Sequence, residues 1–157
     1  MRFVLLDRIT SFTPGRAACA VKNVALSEDF FEDHFPLAPV MPGVLILEGM
    51  AQLAGLTLEA GVRASSGRNV KPLLSIVEMA KFRTRVTPGD CLEYRIEVDS
   101  VNEAGARVSA TARVNDNSVA DCRLIFSFHD FSDERQERRQ AAIVAQLMRG
   151  LETDGAR

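Results

Sequence analysis

The sequence predicts an α+β fold, a curved antiparallel sheet wrapped around one central apolar helix, with a further helix at the C-terminus. Three observations predict it. Residues 43–60 place apolar side chains on nearly every face of a helix, and no Lys or Arg occurs between Lys22 and Arg63. A helix apolar all round is a buried helix. In residues 91–101, Leu92, Tyr94, Ile96 and Val98 alternate with Glu93, Arg95, Glu97 and Asp99, the period of a half-buried antiparallel strand. Two more strand-like runs, 107–114 and 118–130, follow short turn signals, which suggests a meander.

The remaining elements read in order. Residues 1–12 form a strand, Thr13-Pro14-Gly15 a turn, and 17–25 a weaker strand. The SEDFFED run from Ser27 to Asp33 makes one helical turn capped by Ser27. Prolines at 36, 39 and 42 exclude regular helix and central strand, leaving an ordered loop. Pro42 suits the first position of the buried helix. Residues 73–82 form a strand. Pro88-Gly89-Asp90, Asn102–Gly105 and Asn115-Asp116-Asn117 are turns. Ser132 serves as N-cap of an amphipathic helix carrying Ile143, Val144, Leu147, Met148 and Leu151 at helical spacing, with Gly150 near its stop. The chain divides into a main domain, 1–130, and a C-terminal helix and tail, 131–157.

Composition narrows the classes of function. A chain of 157 residues, 46% hydrophobic and 25% charged, supports one domain with a real core. A net charge of −2 argues against a nucleic-acid partner. Cys19, Cys91 and Cys122 are odd in number and unpaired in spacing, so neither a disulfide framework nor a zinc site is expected, and reduced thiols indicate a cytoplasmic protein. The apolar run in the first ten residues is broken by Asp7 and Arg8, unlike a secretory signal. Around the apolar region the longest uncharged stretch is Phe35 to Leu47, short of the roughly 20 residues of a membrane span.

Glu48 sits inside the apolar helix. A carboxylate there is costly unless hydrogen-bonded, and Gln52, one turn later, is placed to orient it. Glu48 reads either as a general acid or as a structurally satisfied glutamate. His34, at the entry to the proline loop, reads either as a proton carrier near neutral pH or as a loop-capping residue. Gly43 brings free N–H groups to the positive end of the helix dipole, where a ligand carbonyl can approach. His129 has no such neighbourhood. Lys81, Arg83 and Arg85 alternate, so in a strand they would share one face. That face is either a docking stripe for an acidic partner or a solvated surface.

The stretch HFPLAPVMPGVLILEGMAQ, residues 34–52, resembles the signature of the 3-hydroxyacyl-[acyl-carrier-protein] dehydratases of the FabZ/FabA type, which have the hotdog fold. The matching parts are His34-Phe35-Pro36, Pro39-Val40-Met41-Pro42-Gly43, Glu48 and Met50-Ala51-Gln52. Residues 79–90, MAKFRTRVTPGD, resemble a second family segment. The likeness covers about residues 1–128, and Glu48 in place of aspartate leans to the FabZ branch.

The resemblance implies dehydration of 3-hydroxyacyl thioesters of acyl carrier protein to trans-2-enoyl thioesters, in fatty-acid synthesis or a specialised lipid or polyene route. It implies His34 as catalytic base, Glu48 of a second subunit as catalytic acid, and Gly43 and Gln52 as oxyanion and substrate-binding positions. It further implies a homodimer or larger homo-oligomer, acyl carrier protein as partner, and no metal or other cofactor; Lys81, Arg83 and Arg85 are then either that partner's docking stripe or a solvated face. Leu37 and Ala38 depart from the family, which commonly has Gly followed by a polar residue. Two other functions stay open: a hotdog acyl thioesterase that keeps Glu48 to activate water, and a non-catalytic acyl-binding or partner subunit.

Overall fold

The computed structural model describes residues 3–130 and 133–151. Six strands and two helices are present: β1 (Arg8–Thr13), β2 (Ala17–Asn23), α1 (Gly43–Ser66), β3 (Val70–Phe82), β4 (Cys91–Val101), β5 (Gly105–Val114), β6 (Asn117–Asp130) and α2 (Glu134–Leu147), with a 3-10 turn at Asp29–Phe31. The strands form one antiparallel sheet in the order β1-β2-β4-β5-β6-β3. β4, β5 and β6 are the expected meander. β3 is consecutive with β4 in the chain but lies at the far edge, paired with β6. The sheet curls around α1 in the hotdog arrangement.

The core is where the alternation places it. Leu92, Tyr94 and Ile96 of β4, Val108, Ala110 and Ala112 of β5, and Leu124 and Phe126 of β6 are buried against Met50, Leu53, Ala54 and Leu58 of α1. Small residues set the closest approaches. A Cβ on Gly61 would stand 2.3 Å from the Gly15 α-carbon. The β1–β2 turn therefore rests directly on α1, and Gly15 N–H donates to Thr57 O at 2.9 Å.

Three local expectations are corrected. Residues 3–6 are not strand: Leu5 and Leu6 are buried, but Leu5 N–H donates to the Gln52 side chain at 2.9 Å instead of to a ladder. The short turn is capped at Glu28, not Ser27, with no side-chain cap bond. α1 continues six residues beyond 60 and stops at Gly67, whose left-handed conformation (φ 70°) lets its N–H reach Arg63 O. By length and composition α1 would suffice to cross a membrane. Its burial inside the sheet accounts for that apolarity as core packing.

The expected cap at Ser132 lies outside the described residues. The N-cap of α2 is Asp133, whose Oδ1 accepts the N–H groups of Arg135 and Gln136 at 2.9 and 3.3 Å. α2 docks on the same core through buried Leu147 and half-buried Ile143.

Candidate active site

The proline loop is tied at both ends. His34 N–H donates to Phe30 O and His34 O accepts Val40 N–H, each at 3.0 Å, while Met41 N–H donates to Val86 O at 2.8 Å. These bonds deliver Pro42 to the start of α1, where its extended backbone (φ −55°, ψ 128°) makes it the N-cap. The His34 ring is half-buried and stacks on Phe35 at 4.5 Å and 20°; the peptide between them is cis. Leu37 is fully exposed. The only non-glycine residues with positive φ among those described are Asn115 and Asp116, so no backbone conformation at 37 demands glycine.

At the mouth of α1, the first backbone bonds to Pro42 O come from Leu45 at 2.9 Å and Ile46 at 3.4 Å. The Gly43 and Val44 N–H groups have no backbone acceptor among the described residues, as helix geometry dictates. Gly43 also has a packing role that sequence reasoning missed. A Cβ there would come 2.9 Å from the Phe82 ring, which closes onto the bare helix start.

Glu48 lies one turn further and is half-buried. Gln52 Nε2 donates to Glu48 Oε1 at 3.0 Å, while Gln52 Oε1 accepts Leu5 N–H at 2.9 Å. Gln52 thus anchors the carboxylate to the N-terminal segment and restricts its rotamers. On the adjacent position, Gly49 admits the Tyr94 ring so closely that a Cβ would stand 2.6 Å from the phenol oxygen. That oxygen is buried with no hydrogen-bond partner among the described residues. Burial, and secondarily the charge of Asp7, push the Tyr94 phenol well above its ordinary range. Tyr94 is therefore a neutral packing ring behind the helix.

Glu48 and Gln52 share a groove of about 530 Å³ with apolar residues that include Leu6, Ala51, Leu74 and Phe126. His34 does not line it. Within one chain, the His34 imidazole is not on the wall of the groove that holds the Glu48 carboxylate.

The basic residues also separate. Lys81 is in β3 and exposed; Arg83 and Arg85 follow the strand's end. Arg83 Nε donates to Asp121 Oδ1 at 2.7 Å, so its charge is locally matched. No cluster of three or more His, Cys, Asp or Glu side chains suited to a metal occurs among the described residues.

The FabA-like domain family matches residues 1–129. The 3-hydroxyacyl-[acyl-carrier-protein] dehydratase FabZ of Thioalkalivibrio sulfidiphilus is 42% identical over 126 residues, 78% of this chain and 85% of the relative. FabZ of Bordetella petrii is 40% identical over 126 residues, 78% and 83% of the two chains. FabZ of Chlamydia pneumoniae is 39% identical over 130 residues, 82% and 84%. Among solved structures, a Streptococcus mutans protein bound to acetyl CoA superposes with TM-score 0.62 at 12% identity, covering 80% of this chain and 90% of that one. A chain of the dehydratase heterocomplex ApeI:P from Xenorhabdus doucetiae superposes with TM-score 0.55 at 21% identity, covering 71% and 88%. At those identities the likeness is one of fold.

Proposed function

The chain belongs to the FabA-like family, and on that premise we propose that it dehydrates 3-hydroxyacyl-[acyl-carrier-protein] thioesters to trans-2-enoyl thioesters in fatty-acid synthesis or a related lipid route, with His34 as base and Glu48 as acid. The observation that carries the reading is Glu48: a carboxylate on the wall of a mostly apolar groove, with one oxygen held by Gln52.

The thioester acidifies the proton on C2, and the His34 imidazole removes it. Negative charge moves to the thioester oxygen, where the Gly43 N–H at the helix mouth stabilises it. The electron pair then forms the C2–C3 double bond as the C3–O bond breaks. Glu48 supplies the proton with which the hydroxyl departs as water. The proton gained by His34 returns to Glu48 through solvent, and the cycle closes. The elimination balances in protons and electrons without redox change, and His34, Gly43 and Glu48 supply its base, oxyanion donor and acid.

The separation of His34 from the groove supports a site shared by two copies. β3 is a free edge of 13 residues, and Leu73, Leu74, Ile76 and Val77 are all exposed on it. Across a register shift at Leu74/Ile76, Leu73 and Ile76 pair with Ser127 and Ile125, and Leu74 and Val77 with Phe126 and Leu124; positions adjacent in register point to opposite faces, so both faces of this edge are apolar, the kind of surface that pairs with another strand. A homodimer through β3 buries it and brings His34 of one copy to Glu48 of the other. Lys81 and Arg85 are the exposed charges left to attract an acidic carrier protein, with Arg83 occupied by Asp121. Free thiols at Cys19, Cys91 and Cys122 accord with a reducing, cytoplasmic setting.

Incubation of the purified protein with 3-hydroxyacyl carrier protein tests the reading. The expected product is the 2-enoyl thioester. His34→Ala and Glu48→Gln should each lower kcat/KM by about 10²–10⁴-fold. Release of free carrier thiol without enoyl product would replace the dehydratase reading with a thioesterase.

A further inference from the structure

The Glu48 groove ends at a polar partition contributed partly by a helix outside the family match. The groove follows one stripe of α1 through Glu48, Ala51, Gln52, Gly55, Leu56 and Glu59. Glu48 to Glu59 spans about 16 Å at the helical rise per residue. At the far end the Glu59 carboxylate accepts Lys71 Nζ at 3.1 Å on both oxygens and Gln140 Nε2 at 2.6 Å, and Lys71 Nζ also donates to Gln140 Oε1. The side chains of Glu59 and Lys71 are only 15% and 20% exposed.

Beyond these side chains lies a second hollow of about 710 Å³, with Phe12, Ala60, Val144 and Met148 on its walls. Leu56, Glu59 and Gln140 line both spaces. The Glu59–Gln140 bond is therefore a wall between two largely apolar spaces, and Lys71 braces it. Ile143 of α2 stands on the Glu48 side of the wall.

We propose that the Glu59–Lys71–Gln140 cluster and Ile143 form the stop of the acyl groove, so that α2 sets the longest acyl chain this protein accepts. The proposal rests on the dehydratase reading, with the thioester end at Glu48. A shorter chain lies along Ala51, Gly55 and Leu56 and gains burial with each methylene, about fourfold in affinity per group. A chain that reaches the cluster must strip water from a carboxylate and an ammonium while offering them no hydrogen bond, which is unfavourable. Chain length is then read as a rise to a maximum followed by a sharp fall.

The test uses the full-length chain and two readouts. One is kcat/KM for 3-hydroxyacyl carrier proteins of increasing length. The other is Kd for saturated acyl-pantetheine amides of the same lengths, which cannot be dehydrated. Gln140→Ala opens the wall and keeps helix propensity; its cut-off should move to longer chains, with the long-to-short ratio rising at least about tenfold. Ile143→Phe should move the cut-off to shorter chains in both readouts. Thermal melts confirm that each variant is folded, and the opposite volume changes of the two keep the prediction exposed if one of them is not. An unmoved cut-off in the folded variants overturns the proposal. If the wild type turns over no substrate of any length, the dehydratase reading fails, while the Kd series still decides whether the wall limits length.

Discussion

The two edges of the sheet are built differently. β1 is six residues long, polar in sequence (RITSFT), and carries a register shift between Ile9 and Ser11. Its turn is pressed onto α1 by the Gly15–Gly61 contact. β3 is 13 residues long, and Leu73, Leu74, Ile76, Val77 and Phe82 are exposed along it. Natural sheets blunt an edge by making it short, polar or bulged. β1 has all three devices; β3 also carries register shifts, at Leu74/Ile76 and Val77/Met79, but it is neither short nor polar and keeps an apolar row. The contrast suits the proposed dimer, in which β1 would belong to the fold of one chain and β3 to the meeting of two.

The largest effect should come from spoiling the β3 edge. Ile76 is 53% exposed, so Ile76→Asp costs the single chain little. In the assembled protein it places a charge at the apolar seam. Light scattering should report monomers, and activity should fall roughly 10²-fold or more as the shared site is lost. A folded Ile76→Asp variant that stays associated and active would break the contrast.

At the β1 edge the expected effect is on stability instead. Gly61→Ala forces a methyl toward the Gly15 backbone and should cost about 1–3 kcal/mol, lowering Tm by several degrees in calorimetry. Association should be unchanged. A third variant, Lys81→Glu at the end of β3, should raise KM for the carrier-bound substrate about fivefold at low salt, the difference shrinking as salt is added. kcat should stay near the wild-type value.

A smaller effect separates the two faces of the sheet. Burial, then the neighbouring Asp121 charge, pushes the Cys122 thiol up to about 12, so it remains a neutral thiol at pH 7–9. Cys91 is exposed on β4. Alkylation followed by mass spectrometry should modify Cys91 first and leave Cys122 untouched until the chain unfolds.

Much of this organisation is legible in the residues themselves. The alternation of 91–101 places Leu92, Tyr94 and Ile96 inside, and the apolar run after Pro42 identifies the central helix. Both follow from periodicity, which is local. The position of β3 is not local: its neighbour β6 starts 35 residues after it ends, so its edge position emerges only with the sheet closed. The strand expected at 3–6 fails for a similar reason, because the Leu5 N–H finds a side chain 47 residues away.

The site divides in the same way. His34, Gly43, Glu48 and Gln52 stand in one 19-residue stretch, and a motif can expose them together. Phe82 against Gly43, and the Glu59–Lys71–Gln140 cluster, come from distant elements with no common spacing. Gln140 also lies beyond the region that matches the family. Only coordinates bring those residues together.

The central claim is that imidazole and carboxylate meet across two copies of the chain, and mixing inactive variants measures this directly. His34→Ala and Glu48→Gln proteins, unfolded together and refolded at equal concentration, should regain about a quarter of wild-type activity. Half of the dimers would then be mixed, each with one intact site of two. Each variant refolded alone should remain inactive. A mixture that forms mixed dimers yet stays as inactive as its components would contradict the shared site and return both residues to a single chain.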